Sequence, residues 1–287
     1  MAIQHIINFF SGVLVNYLAE IPFFRKCARF INIHFSPDED IMVKVKKHRM
    51  YANTVDRILA LYLWKLSALE NFEIKLMEKI IKKGMIVFDI GANIGYHTLI
   101  FANLVGKNGK VYAFEPDPSN YRLLVKNIKV NGYKNVVAVQ KAISNESETL
   151  DFYLSQEHRG DHRLYDTGDG RKAIKVEATT IDKFTKGKIN PNIAKIDIQG
   201  AEFLAMQGMI GVIKRNKGLI ILCEFSPNYL KKGGYSPKNF LQFLKQQGFK
   251  LKFINEKKET IELINPSSLI KMCQNNKYVN LFLKRSS

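Results

Sequence analysis

Two alternating periods restrict the fold of this chain more than anything else in it. From about residue 85, short apolar runs take turns with stretches of helical spacing. The runs are MIVFDI (85–90), KVYAF (110–114), NVVAVQ (135–140), IAKIDI (193–198) and LIILCEF (219–225). Between and after them helices are predicted over 96–104, 118–130, 201–214 and 237–247, with Pro118 and the Ser236–Pro237 pair supplying start signals. Continuous apolar runs of this length suit strands covered on both faces, and helical returns bring successive strands parallel. The expectation is an α/β chain with a mostly parallel sheet between helices. KYVNLFLKR (277–285) reads as a final strand. The polar segment 149–181 alternates at both ends around a Gly- and Asp-rich loop, so a hairpin over the sheet edge is predicted there.

Residues 1–69 read differently. Ile3, Ile6, Ile7, Phe10, Val13, Leu14, Tyr17 and Leu18 recur at three- and four-residue steps, predicting an amphipathic, helical N-terminal arm. Its polar face argues against a membrane span. Arg25, Lys26 and Arg29 follow Pro22, Phe23 and Phe24, a basic and aromatic cluster suited to an anionic bilayer surface, and packing on the chain's own domain is the other reading. Residues 70–287 form the second unit, since no linker or repeat divides them. With no basic n-region before residue 20, a secretory signal is not expected; the three cysteines, Cys27, Cys223 and Cys273, suggest neither a disulfide framework nor a zinc site. A cytoplasmic protein, peripheral on the inner face of the membrane if the arm binds lipid, is therefore expected. Lys and Arg number 44 against 26 Asp and Glu, and the net charge of +18 favours anionic partners without choosing among them.

The chemistry is expected at two strand ends. In VFDIGANIGYHTL (87–99) a strand gives way to Gly91, Asn93 and Gly95 and then a helix, a turn whose backbone can approach a ligand closely. The dinucleotide spacing G-x-G-x-x-G is absent. In KVYAFEPDP (110–118), Glu115 ends the next strand, where a doubly wound sheet uses an acid to accept both hydroxyls of a ribose. An adenosine-type ligand is expected, with Asp117 as a possible helix cap.

Together with TTIDKF (179–184), KIDIQGAE (195–202) and EFSP (224–227), these motifs resemble, in order, the FkbM-type S-adenosylmethionine-dependent methyltransferases over about residues 70–285. The resemblance implies a Rossmann-like, seven-stranded class I methyltransferase fold with an antiparallel last strand. It implies methyl transfer to a hydroxyl of a sugar, glycan or related metabolite. By position it places Asp89, Gly91, Asn93 and Gly95 around the methionine part of the cofactor, Glu115 on the ribose, and Asp117 with Ala142 to Asn145 near the adenine. Asp197 faces the methyl-transfer site, beside Gln199 and Glu202, with Gln199 standing where many members have an acid.

Asp197, His162 and Glu202 are the candidate catalytic residues, and Glu224 is a further candidate base at a strand end. GDHRLYD (160–166) is expected to cover the acceptor site, whereas His97 is read as a packed or solvent-facing side chain. No metal ligands are assigned. A nucleic-acid methyltransferase is the rival enzyme, prompted by the charge and by SPNY (226–229), but that motif follows the fifth strand instead of the fourth, and no aromatic platform interleaves the basic residues. A catalytically inactive, membrane-associated scaffold is the non-enzymatic alternative.

Overall fold

The computed structural model describes residues 39–53, 72–155 and 159–285. The apolar stripe and the basic cluster of the arm, Ile3 to Arg29, lie outside the described residues. The part of the arm that is described is not helical. Strands β1 (Asp40–Val45) and β2 (His48–Asn53) form an antiparallel hairpin turning at Lys46, whose φ is 51°. The reason is a change of period: Val45, Met50 and Ala52 alternate onto one buried face, whereas the helical stripe has already ended.

Helix α1 (Phe72–Ile80) leads into β3 (Ile86–Ile90), α2 (Tyr96–Val105), β4 (Lys110–Phe114), α3 (Pro118–Val130), β5 (Val136–Val139) and β6 (Ala142–Ile143). The polar segment follows as β7 (Thr149–Leu154) and β8 (Lys172–Thr179), an antiparallel pair that joins β6 in a small separate sheet. Then come α4 (Ile181–Thr185), β9 (Ile193–Ile196), α5 (Glu202–Gln207), α6 (Ile210–Arg215), β10 (Ile220–Phe225), α7 (Pro227–Lys232), α8 (Pro237–Gln246), β11 (Phe249–Lys250), β12 (Lys252–Asn255), β13 (Thr260–Leu263), α9 (Pro266–Met272) and β14 (Val279–Arg285).

The main sheet runs β13-β12-β14-β10-β9-β3-β4-β5 among the described residues. β3, β4, β5, β9 and β10 are parallel, and β14 enters antiparallel between β10 and β12, as expected of the last strand. The hairpin β12–β13, not foreseen in the sequence, widens the sheet beyond β14. One buried cluster joins Val87, Val111, Ile193, Leu222 and Phe282 to α1, α2, α3 and the β1–β2 hairpin. A second joins Phe88, Phe114, Ile196 and Cys223 to α5, α6, α8 and α9. Alternate residues of each strand thus serve opposite layers.

The helix expected over 201–214 is broken in two. Gly208 sits against the backbone of Ser144, where an added Cβ would lie 2.0 Å from the carbonyl oxygen. Asp182 then restarts the helix by accepting the N–H groups of Gly211 and Val212, each at 2.7 Å. The β1–β2 hairpin is fastened to α3 by Asn127, which accepts from Tyr51 N at 2.6 Å and donates to Tyr51 O at 3.0 Å, and by Asp40, which pairs with Arg122 and Lys126.

Candidate functional site

The strand ends align. β3 pairs with β4 through Ile90 and Phe114 and with β9 through Ile90 and Ile196, while β9 pairs with β10 through Ile196 and Cys223. The next residues outward, Glu115, Gly91, Asp197 and Glu224, form one row across four parallel strands, roughly 14 Å long at about 4.8 Å per strand. The chain leaves β3 in one direction towards β4 and β5 and returns on its other side as β9, so the row crosses the topological switch point, where doubly wound sheets bind ligands. A cavity of about 750 Å³ opens over it, a size suited to a cofactor with part of a substrate.

Gly91 allows the close approach in the middle of the row. Its φ is 85°, and a Cβ there would meet the carbonyl oxygen of Asp197 at 2.0 Å. The turn is then pinned sideways, because Gly91 N and Ala92 N both donate to the Phe114 carbonyl, at 3.0 and 2.9 Å. Asn93, also left-handed at φ 51°, donates its N–H to Glu115 Oε2 at 2.8 Å. Asp117 N donates to Glu115 Oε1 at 2.9 Å. The Glu115 carboxylate is therefore fixed by two backbone donors with one lone pair of each oxygen left for a ligand. Burial pushes its pKa up to about 8, against the pull of those two N–H groups.

At the other end Asp197 receives Lys195 Nζ on Oδ2 and Gln199 Nε2 on Oδ1, both at 2.9 Å. Burial alone would raise its pKa, but the Lys195 charge and these two hydrogen bonds outweigh burial and hold it below the ordinary value. Lys195 is 6% exposed in its side chain; burial opposes its charge, yet Asp197, Glu73 and Asp89 keep it firmly protonated. Glu224 is also buried, and its Oε1 has no hydrogen-bond partner. Burial, then the charges of Asp197 and Glu202, raise its pKa well above the ordinary carboxylate value.

The loop between β7 and β8 covers the cavity with charged side chains. Asp161 holds two arginines, accepting from Arg163 at 2.5 and 3.0 Å on Oδ1 and from Arg171 at 2.8 Å on Oδ2. The Arg163 guanidinium lies 4.1 Å from the ring centre of Tyr229 on α7 and donates to the Tyr165 hydroxyl at 3.0 Å, tying the loop to the end of β10. His162 packs edge-on against Phe152, and its Nδ1 accepts Ser155 N at 2.9 Å. That bond makes Nδ1 an acceptor and so puts the proton of the neutral ring on Nε2.

Of the residues singled out in the sequence, Gly91, Asn93, Glu115, Ala142, His162 and Asp197 line this one cavity. Asp89, Gly95, Asp117 and Glu202 are not on its wall. Asp89 lies beneath it and accepts Thr98 Oγ1 at 2.5 Å. Gly95 serves the packing of α2, since a Cβ there would come within 2.8 Å of Leu124 Cδ1. Asp117 caps α3 through Asn120 N at 2.7 Å. Glu202 turns both oxygens onto its own loop, accepting Ile198 N at 3.1 Å and Gly200 N at 3.0 and 3.1 Å. A carboxylate so occupied holds the DIQG turn in shape and is not aimed at a substrate. His97 lines the cavity while also packing between Tyr96 and Phe101. Burial and then Lys195 keep it neutral. Its place six residues after Gly91, in the first turn of α2, was the available signal; Lys195 and Arg171 carried none.

Residues 89–251 match the family model described as the Methyltransferase FkbM domain. The hexuronic acid methyltransferase AglP of Haloferax volcanii is 24% identical over 164 residues, which make up 55% of this chain and 65% of AglP. The protein-L-isoaspartate O-methyltransferase of Methanococcoides burtonii is 41% identical over 59 residues, 21% of this chain and 29% of that enzyme. The chain spans less than two thirds of the length of either relative. An rRNA methylase from Streptococcus thermophilus superposes on 75% of this chain and 95% of its own, with a TM-score of 0.45 at 12% identity.

Proposed function

The chain belongs to the FkbM methyltransferase family, and from that premise we propose that it methylates a hydroxyl of a sugar or glycan, with S-adenosylmethionine as the methyl donor. The residues present fit that cofactor. Glu115, once ionised, is an acceptor held open for two donors, as a ribose diol requires, and Asn120, on the same wall, has a buried Oδ1 without a partner. Gly91 and Asn93 would carry the methionine part, and Ala142 would bound the base. When bound, S-adenosylmethionine supplies a methyl group on a sulfonium, and the carbon–sulfur bond breaks with its electron pair staying on sulfur.

The observation that carries the sugar reading is the wall opposite the row. Asp161, His162, Asp169 and Arg171 line the cavity with donors and acceptors of both signs, which suits a hydroxyl-rich ligand, while Arg159 stands against the start of α3, where it donates to Ser119 Oγ. Arg163 already lies over the ring of Tyr229, which closes that face to a stacked nucleobase. The likeness to a hexuronic acid methyltransferase supports the same class. Asp197 and His162 would position the hydroxyl, Asp197 as acceptor and His162 as donor through Nε2. Such positioning is a large part of the rate in a reaction that needs three atoms in line.

Radiolabelled S-adenosylmethionine should be offered with nucleotide-activated hexoses and hexuronic acids, lipid-linked glycan extract, tRNA and DNA. Label in the sugar fractions is the expected result; label in nucleic acid overturns it. Calorimetry with S-adenosylhomocysteine separates either enzyme from an inactive scaffold, which would not bind. Among the described residues no helix is long and apolar enough to cross a membrane. A peripheral association through the basic and aromatic cluster of residues 22–29 is part of this proposal, resting on the sequence pattern. Binding to anionic liposomes that weakens with salt, and is lost on deleting residues 1–37, checks it.

A further inference from the structure

We propose that Glu224, at the end of β10, is the general base that takes the proton of the acceptor hydroxyl. The inference rests on the reading above, in which the acceptor is a hydroxyl, and it selects one residue from the four candidate bases that the sequence offers.

The argument starts from the four-residue row. Glu115 stands at one end and Glu224 at the other, with Gly91 and Asp197 between, so a ligand that engages Glu115 and runs along the row has its far end at Asp197 and Glu224. Asp197, His162 and Glu202, the other candidates named from the sequence, are already committed. Asp197 receives a hydrogen bond on each oxygen, one from a buried ammonium, which lowers its basicity. His162 has its Nδ1 lone pair filled by Ser155 N and carries its proton on Nε2. Glu202 is bound by the N–H groups of its own loop. Glu224 alone of these four has a buried oxygen without a partner, and its side chain is on the cavity wall. A buried carboxylate oxygen left without a donor is costly in a folded protein unless something supplies one, and a substrate hydroxyl is such a donor.

The proton count closes on this residue. The acceptor oxygen gains a bond to carbon and loses its bond to hydrogen, and that proton moves to Glu224 Oε1, turning a carboxylate into a carboxyl group. The groups facing Glu224 set when it is ready. Asp197 and Lys195 adjoin it from β9, Glu202 from α5, Glu73 from α1 and Tyr229 from α7. Burial and the surrounding carboxylates favour the protonated form in the ligand-free protein, more than Lys195 opposes it. A positive charge brought to the cavity shifts Glu224 back towards ionisation. The sulfonium of S-adenosylmethionine is a charge that S-adenosylhomocysteine, with a neutral thioether and an ammonium matched by its own carboxylate, lacks, so the methyl-bearing form readies the base.

Two measurements on the full chain test this. Infrared difference spectra at pH 7.5 between the parent and Glu224→Gln isolate the protonated carboxyl band of Glu224. The band is expected with S-adenosylhomocysteine bound and absent with S-adenosylmethionine bound; a band that persists with S-adenosylmethionine overturns the proposal, and no acceptor is needed to see it. With whichever sugar takes label in the panel above, Glu224→Gln should lower kcat about 10²- to 10³-fold, keep S-adenosylhomocysteine affinity within twofold, and lose the rise of kcat with pH that the parent shows. Turnover within threefold of the parent, or an equal loss of S-adenosylhomocysteine affinity, overturns it. If no sugar is labelled, the sugar reading fails while the infrared result still decides the state of Glu224.

Discussion

The two ends of the site are built by different means. At the end proposed for the cofactor, a strand, a glycine turn and the next strand place Gly91, Asn93 and Glu115 with hydrogen bonds donated by backbone N–H groups. At the end proposed for the acceptor, the groups come from β9, β10, α7 and the β7–β8 loop, and side-chain pairs such as Asp161 with Arg163 and Arg171 hold them together. The first end is local in sequence and reads as a motif. The second is a convergence of distant segments, and a change in one partner can re-aim it without disturbing the sheet.

The hardest blow to that division is Gly91→Ala, because the added methyl meets the Asp197 backbone and so strikes both ends. Overpacking plus a left-handed alanine should cost roughly 2 to 5 kcal/mol, read by chemical denaturation. Gly234→Ala, at a similar φ of 85° but with nothing within 4 Å, should cost only about 1 to 2 kcal/mol. Equal losses would mean that the close approach is not what demands glycine.

Asp161→Ala should separate the ends. It leaves the buried Arg163 without its carboxylate, and the loss of stability should be about 3 kcal/mol, the lower part of the range for breaking a buried pair. S-adenosylhomocysteine affinity should stay within twofold while the KM for the sugar rises. A matching loss of cofactor affinity would show that the ends are not independent.

Glu115→Ala is the mirror test. Two ligand hydroxyls lose a charged acceptor, so affinity for S-adenosylhomocysteine should fall about ten- to a hundredfold, or roughly 1.5 to 3 kcal/mol. A folded variant that binds as tightly as the parent would remove Glu115 from the cofactor.

The smallest effect is a slope. A carboxyl whose pKa rises on folding stabilises the protein fully below its ordinary value of 4.5, and that stability is lost as pH climbs to the folded value. For Glu115 the window runs from about 4.5 to about 8, and Glu73 and Glu202, both raised to about 7 by burial, act in the same direction. Tm of the ligand-free protein should therefore decline from pH 5 to 8 on account of these groups. Glu115→Gln should flatten the upper part of that decline, and an unchanged slope would mean that Glu115 is ionised throughout.

The sequence shows the sheet because each central strand is a continuous apolar run, and it shows Gly91 and Glu115 because backbone geometry demands those residue types. It misses the β1–β2 hairpin, whose short alternation at Val45, Met50 and Ala52 is fastened by Asn127, Arg122 and Lys126 far along the chain. It misses the break at Gly208 for the same reason, since the cap that restarts the helix is Asp182 on another element. The roles of Glu202 and His162 depend on which backbone N–H reaches each side chain, a relation that spacing does not encode. His97 and Lys195 look like ordinary helix and strand residues until the strands are set side by side.

The β7–β8 pair has a consequence for how such a chain can diversify. Leu154 and Lys172 are partners in register, so residues 155–171 depart and return through adjacent positions of one ladder. Closing a loop across a fixed gap costs only about 0.6 kcal/mol more for each doubling of its length. The segment proposed to touch the acceptor is thus an exchangeable cassette on a constant mount, free to lengthen, shorten or change charge while the strand-end turn at Gly91 is inherited intact.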